Sequence, residues 1–323
     1  MTVPLRKRVR RTLRSRLIAG LLRLVELIPL GPALRIGAAG GALAAWLFRG
    51  TRRLALAHLA QAFPEKTEAE RRDIARRMFI HLALSAMEIS SIGHWDDRLT
   101  DYIVEQQPAL LRAALARGKG IVFVTGHLGN WELMARLVAR VGAPVSAVAK
   151  RGGDARLMEL IEDWRREGGV TTLWREDPST ARALLRVFKQ GQVLGILVDQ
   201  DTKVQGVFVP FFGRLAYTPR APGDLALRSG ATILVGTSHR PTCQPRCKLG
   251  EGLRFEVTEV PYDPSPTDRE AEVVRITAAC QAVMEEAIRR HPADWVWMHE
   301  RWKTQPELAP LEGSKEDARM AGS

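Results

Sequence analysis

The chain has 323 residues, of which 46% are hydrophobic and 26% charged, enough to bury one large domain or one domain plus a small helical unit. Its formal net charge is +12, which points to an anionic partner such as nucleic acid, an anionic membrane or an acidic ligand. The three cysteines, Cys243, Cys247 and Cys280, are too few for a disulfide framework, and the C-x-x-x-C spacing beside His239 lacks the second pair a zinc site needs.

In chain order, Arg6, Lys7, Arg8, Arg10, Arg11, Arg14 and Arg16 form a basic run without an acid. An apolar stretch follows from Leu17 to Phe48, interrupted by Arg23, Glu26, Pro29, Pro32 and Arg35. Its cleanest part, Ile36 to Phe48, is shorter than the ~20 residues of a transmembrane helix, so insertion into one leaflet is expected. The flanking arginines favour the cytoplasmic face and attract anionic lipid. A cleaved signal peptide fits poorly because Arg23 and Glu26 break the apolar centre. A buried helical hairpin in a soluble protein is the competing reading. The basic run could serve nucleic acid, but no recognised nucleic-acid module follows it, and aromatic residues amount to only 6%.

Thr67-Glu68-Ala69-Glu70 reads as a capping box opening a helix towards Glu88, with Ile74, Met78, Leu82 and Met87 at helical spacing. The pattern then changes. Short apolar runs at Ile121–Val124, Val145–Ala149, Val170–Leu173, Val193–Val198 and Thr232–Thr237 alternate with helical segments at Trp131–Arg140, Leu157–Arg166, Ser179–Gln190 and Ala221–Ser229. Leu253–Val260 adds another strand and Glu270–His291 a long helix. Alternation of this kind predicts an α/β fold with a mostly parallel central sheet flanked by helices, behind an N-terminal helical membrane-associated segment. The expected organisation is an anchor over residues 1–50, an α/β domain over 51–304 and a disordered polar tail over 305–323.

Directly after the first of these strands comes Thr125-Gly126-His127-Leu128-Gly129-Asn130-Trp131-Glu132. A His five residues before an acid is worthless by itself: with 7 His and 36 acids in the chain, chance supplies about one. Its place at a strand-to-helix junction, where α/β folds gather their sites, gives it weight. On a helix the two side chains would stand about 140° apart, so they can meet only with His127 in the loop and Glu132 in the first turn. An alcohol nucleophile needs a base near neutral pH; imidazole suits that role, and a carboxylate can fix its tautomer. There is no G-x-S-x-G, so direct transfer without an acyl-enzyme is expected. The bland alternative is that His127 merely packs the loop.

Together these residues resemble the bacterial lipid A biosynthesis acyltransferases, which carry an H-x-x-x-x-D/E motif. The resemblance starts at Leu56–Glu70 and runs through Gly118-Lys119-Gly120, His127–Glu132, Val198–Asp201 and Gly206–Arg214 to Trp295–His299 and Arg301–Lys303. His58, where the family often has Asn, is one departure. The resemblance implies an acyl-carrier-protein thioester as donor and a phosphorylated glycolipid as acceptor. It implies an enzyme without cofactor or metal, on the cytoplasmic face of the inner membrane. His127 would then be the base and Glu132 its partner, with Arg165 and Asp199 at functionally important positions. Arg151, Arg175 and Arg214 are candidates for acceptor phosphates, since Arg matches phosphate geometry. Phe208, Phe211 and Phe212 could line an acyl channel, although core packing is the stronger reading, and Trp295, Trp297 and Trp302 could sit at the membrane interface. Acylation of another lipid, such as a phosphatidylinositol mannoside or an aminolipid, is the alternative within the superfamily, and a non-catalytic basic membrane-binding protein the alternative outside it.

Overall fold

A computed structural model describes residue 20 and residues 24–105, 107–152, 155–241 and 252–306. The basic run from Arg6 to Arg16, Cys243, Cys247 and residues 307–323 lie outside the described residues.

Three helices lead the described chain. Helix α1 (Leu30–Leu47) and α2 (Arg49–Ala62) precede α3 (Glu68–Ser90). The capping box at Thr67 and Glu70 is formed in both directions, which fixes where α3 starts. Helix α1 docks on α3 through Ala33, Gly37, Gly41 and Ala45, spaced four residues apart and buried. A Cβ on Gly41 would stand 2.6 Å from Ile80 Cα, so only glycine permits that approach. On a different side α1 leaves Ile36, Leu43, Trp46 and Leu47 exposed. Its 18 residues make it the one described helix long and apolar enough to cross a membrane, yet they span only about 27 Å.

Among the described residues the body is a seven-stranded sheet in the order β1-β9-β8-β2-β5-β3-β4, with ranges as follows. Short helices α4 (Leu99–Tyr102) and α5 (Pro108–Ala116) flank β1 (Ile103–Glu105). Then β2 (Ile121–Thr125), α6 (Trp131–Arg140), β3 (Val145–Ala149), α7 (Ala155–Glu167), β4 (Val170–Trp174), α8 (Thr180–Lys189) and β5 (Val193–Leu197) alternate. A hairpin of β6 (Gly206–Phe211) and β7 (Arg214–Pro219) follows, then α9 (Ala221–Ser229), β8 (Thr232–His239), β9 (Leu253–Glu259) and α10 (Arg269–Arg290). Strands β8, β2, β5, β3 and β4 are mutually parallel, while β9 runs antiparallel to β8 and β1 parallel to β9.

Central β2 is buried at all five positions, which is why it reads as an unbroken apolar run. Its alternate residues serve two cores. Ile121 and Phe123 pack with Leu133, Met134 and Leu137 of α6, and Val122 and Val124 with Ile276 and Met284 of α10. A third core joins α2, α3 and the β6–β7 hairpin around Phe211, Phe212, Trp295, Trp297 and Trp302. The interface role considered for the three tryptophans is therefore corrected: all are at least 93% buried, and Trp295 and Trp297 stack edge to face at 4.6 Å. Phe211 and Phe212 are likewise core residues.

Candidate active site

Strands β2 and β5 are neighbours, and their register pairs Thr125 with Leu197. Two residues beyond each partner stand His127 and Asp199, so the parallel ladder delivers both side chains to the carboxyl edge of the sheet. That edge is where α/β folds bind ligands. Asp199 Oδ1 lies 2.9 Å from His127 Nδ1, and Oδ2 accepts the backbone N–H of His127 at 2.6 Å and Nε1–H of Trp295 at 2.9 Å. A Cβ on Gly126 would meet Oδ2 of Asp199 at 2.9 Å, which explains glycine between strand and His.

The loop is clamped on every side. Leu128 O accepts from Ser238 Oγ, Gly129 N–H donates to Asp294 O, and His127 O accepts from Val296 N–H. Gly129 has φ +62°, and a Cβ there would overlap Ser238. Asn130 caps α6 by accepting from Leu133 N–H and donates its amide to Glu88 at 2.8 Å. Glu88 in turn forms a fully buried ion pair with Arg240 and accepts from Tyr102 OH at 2.6 Å. The loop thus rests on a buried polar network of Asn130, Glu88, Tyr102 and Arg240, in which Arg240 Nε alone has no partner among the described residues.

Asp199 is 1% exposed. Burial alone would raise its carboxyl. The charge of His127, the two hydrogen bonds from that residue and the one from Trp295 outweigh burial and hold it well below the usual carboxylate range. With a carboxylate oxygen facing Nδ1, the neutral ring donates from Nδ1 and turns the lone pair of Nε2 outward. Trp131 packs edge to face on the imidazole at 4.8 Å. Gln200 Nε2 donates to His299 Nε2 at 2.7 Å and lies 3.2 Å from both ring nitrogens of His127. His299 is pushed below the usual imidazole value by burial first and by the His127 charge second.

Glu132 sits in the first turn of α6, as the spacing required, but its carboxylate is taken by Arg165 of α7, with Nε to Oε2 at 2.9 Å and Nη2 to Oε1. The pair predicted as His127–Glu132 is therefore two pairs, His127–Asp199 and Glu132–Arg165. The physical reason is register: β5 brings an acid against the ring before the helix can. His127, Glu132 and Arg165 all line one cleft of about 630 Å³, together with Trp131, Lys150, Arg175 and Gln200.

The structure brings together four of the predicted site residues, His127, Glu132, Arg165 and Arg175, as cleft lining, and Asp199 behind the imidazole. Asp199 is too buried to bind substrate, which corrects that expectation. Arg151 and Arg214 stand apart from this group. Both are exposed and outside the cleft lining; the Arg151 guanidinium stacks on Trp174 at 4.9 Å, and Arg214 opens β7. Lys150, Trp131, Gln200 and His299 were not anticipated. The signals for the last two were Gln200 beside the strand-ending Asp199 and His299 closing the tryptophan motif.

The family model for bacterial lipid A biosynthesis acyltransferases matches residues 5–304. The chain is 27% identical to the lipid A biosynthesis lauroyltransferase of Escherichia coli (strain K12), over 90% of this chain and 92% of that protein. It is 25% identical to the lipid A biosynthesis palmitoleoyltransferase of the same organism, over 84% and 85%. It is 29% identical to a phosphatidylinositol mannoside acyltransferase of Mycobacterium tuberculosis (strain CDC 1551 / Oshkosh), over 59% and 57%. With its match to the model extending from the N-terminal segment to the last described turn, the chain belongs to the bacterial lipid A biosynthesis acyltransferase family and is an acyltransferase.

Proposed function

We propose that the enzyme moves a fatty acyl chain from an acyl-carrier-protein thioester to a hydroxyl of a lipid A precursor, with His127 as general base. One observation carries this reading: an imidazole whose Nδ1 is tied to a buried carboxylate stands on the wall of an open cleft. In the proposed step the acceptor hydroxyl gives its proton to His127 Nε2 as its oxygen attacks the thioester carbonyl. Asp199 stabilises the imidazolium. The tetrahedral intermediate collapses with loss of the carrier thiolate, which recovers the proton from the imidazolium. Glu132 acts by fixing Arg165 in the wall, where its guanidinium is available to the developing oxyanion. Arg175 and Lys150 line the same cleft and are suited to acceptor phosphate.

A second cavity of about 680 Å³ adjoins the cleft and shares Trp131 and Glu132 with it. Its walls include Ile89, Ile92, Leu160, Ile161 and Trp164, side chains suited to the acyl chain, beside the charged Glu26, Asp96, Arg136 and Glu167. We place the enzyme on the cytoplasmic face of the inner membrane, with residues 1–50 as anchor, on the basic run and the exposed side of α1. The likeness to a phosphatidylinositol mannoside acyltransferase favours a second reading, acylation of a different membrane glycolipid. Mass spectrometry of lipids from cells with and without the gene separates the two. The first reading expects lipid A lacking one secondary acyl chain; unaltered lipid A beside an altered second glycolipid rejects it.

A further inference from the structure

Outside the catalytic cleft the molecule carries a second polar recess, and its position beside the apolar helix is informative. Ala38, Ala39 and Ala42 of α1 form one wall of a cavity of about 500 Å³. Arg76 and Arg77 of α3, Arg290 at the end of α10, and His81 and His291 form others. Among its described lining residues the sole carboxylate is Asp294, which is occupied by His81 Nδ1 at 2.8 Å and the Arg240 N–H at 3.2 Å.

The rim arginines are held loosely. Arg77 pairs with Asp73 and Arg290 with Glu256, and these arginine side chains are 44% and 47% exposed. Exposed pairs of this kind exchange readily for a better anion. Arg76 makes no ion pair among the described residues. Three guanidinium groups can therefore turn to one phosphate, for which their planar donors are suited.

The recess also has a fixed relation to the site. Arg240 and Pro241 follow β8, which runs parallel to β2, so the recess opens at the same edge of the sheet as His127. Asp294 joins the two: its side chain lines the recess and its carbonyl accepts from Gly129 N–H of the catalytic loop at 2.9 Å. The alanine wall belongs to the helix that exposes Ile36, Leu43, Trp46 and Leu47. A ligand here meets cations on one side and an apolar helix on the other.

We propose that this recess binds the phosphate headgroup of an anionic bilayer phospholipid lying along α1, and that it thereby turns the catalytic edge towards the membrane. The proposal rests on reading α1 as membrane-facing, and not on any step of catalysis. A free phosphate would leave the alanine wall and the exposed apolar side chains unused, which is why the occupant is a lipid.

The test uses the full chain and vesicles of phosphatidylcholine with and without phosphatidylglycerol, comparing wild type with Arg76→Gln/Arg77→Gln. Each basic residue lost at an anionic surface weakens partitioning about five-fold, so the double variant should bind the anionic vesicles roughly 25-fold less well. Binding to neutral vesicles should not change. A charge-matched variant, Arg182→Gln/Arg186→Gln on the exposed side of α8, should lose much less. Equal loss in both variants, or none in the first, overturns the proposal. So does release from anionic vesicles by inorganic phosphate at unchanged ionic strength, because that marks a site for the free anion. Activity on detergent-dispersed substrate should be the same in both variants and in wild type; this readout keeps failure of the lipid site apart from failure of the catalytic reading.

Discussion

At the scale of single residues, the decisive feature is the way Asp199 divides its two oxygens. Oδ2 accepts from two fixed donors, the His127 backbone N–H and Trp295 Nε1–H. In Asp199→Asn the amide carbonyl must therefore take the Oδ2 place, leaving the NH₂ group to face Nδ1 of the ring. An NH₂ donor there demands a lone pair on Nδ1, moves the ring proton to Nε2, and removes the proposed base from the cleft. Asp199→Asn should lower kcat about 10³- to 10⁴-fold with an unchanged circular dichroism spectrum, as expected when an orienting carboxylate is lost. His127→Ala should cost about 10²- to 10⁴-fold. Glu132→Gln keeps the ring tautomer, so a loss as large as that of Asp199→Asn in the same assay would return the orienting role to Glu132. His127 and Glu132 were legible in the sequence because five residues of separation at a strand end is a local signal. The partnership of His127 with Asp199 was not, since it depends on β5 lying beside β2 although β3 and β4 intervene in the chain. Arg151 and Arg214 could not be told from Arg175 for a related reason: residue type suits a phosphate ligand, and only the fold says which arginine lines the cleft.

Elements were legible where their signal was local and failed where tertiary contacts decided. Strands β2 to β5 announced themselves as apolar runs, and α3 by its capping box. Strand β1 has three residues and borrows its conformation from β9. The β6–β7 hairpin turns on Phe212 and Gly213, with φ of +51° and +72°. That combination suits the tight turn favoured between twisted strands, but Phe is not the residue type that advertises it. Phe212 tolerates it because Glu285 accepts its N–H at 2.6 Å and the ring is buried against Phe63 and Trp297. The docking of α1 on α3 was hidden in the same way, because adjacent glycines look alike until a neighbour is known. Gly40 has open space where a Cβ would stand, whereas at Gly41 the Cβ would meet Ile80 Cα at 2.6 Å and Phe79 O at 2.7 Å. Gly40→Ala should therefore stabilise by up to about 1 kcal/mol through helix propensity alone. Gly41→Ala gains the same propensity but overpacks against backbone, and should destabilise by about 1–3 kcal/mol. Thermal unfolding with limited proteolysis at α1 checks the pair, and equal shifts in both would mean that α1 does not pack on α3 as described.

For the whole molecule, acid sensitivity follows from two half-buried imidazoles. His239 ends β8 and stacks on His291 with ring centroids 3.7 Å apart and planes 4° from parallel. Burial first, and the His291 charge second, push His239 down to about 4, while Glu256 at 3.9 Å and Asp294 only partly oppose them. His291 is lowered too, again chiefly by burial. In the unfolded chain an imidazole takes its proton near pH 6.5. Between about 6.5 and 4 the unfolded state thus binds protons that the folded state refuses, and stability must fall as the pH falls. Asp199 acts in a different window: its depressed carboxyl contributes full stability above about pH 3.9, and that contribution is lost only at lower pH. The two effects separate on the pH axis. The melting temperature of the wild type should decline from pH 6.5 to 4. In His239→Phe, which keeps an aromatic ring against His291 but carries no proton, the decline should be shallower. Parallel declines in the two proteins would assign the acid sensitivity to other groups and show that the stacked pair is not kept neutral by its surroundings.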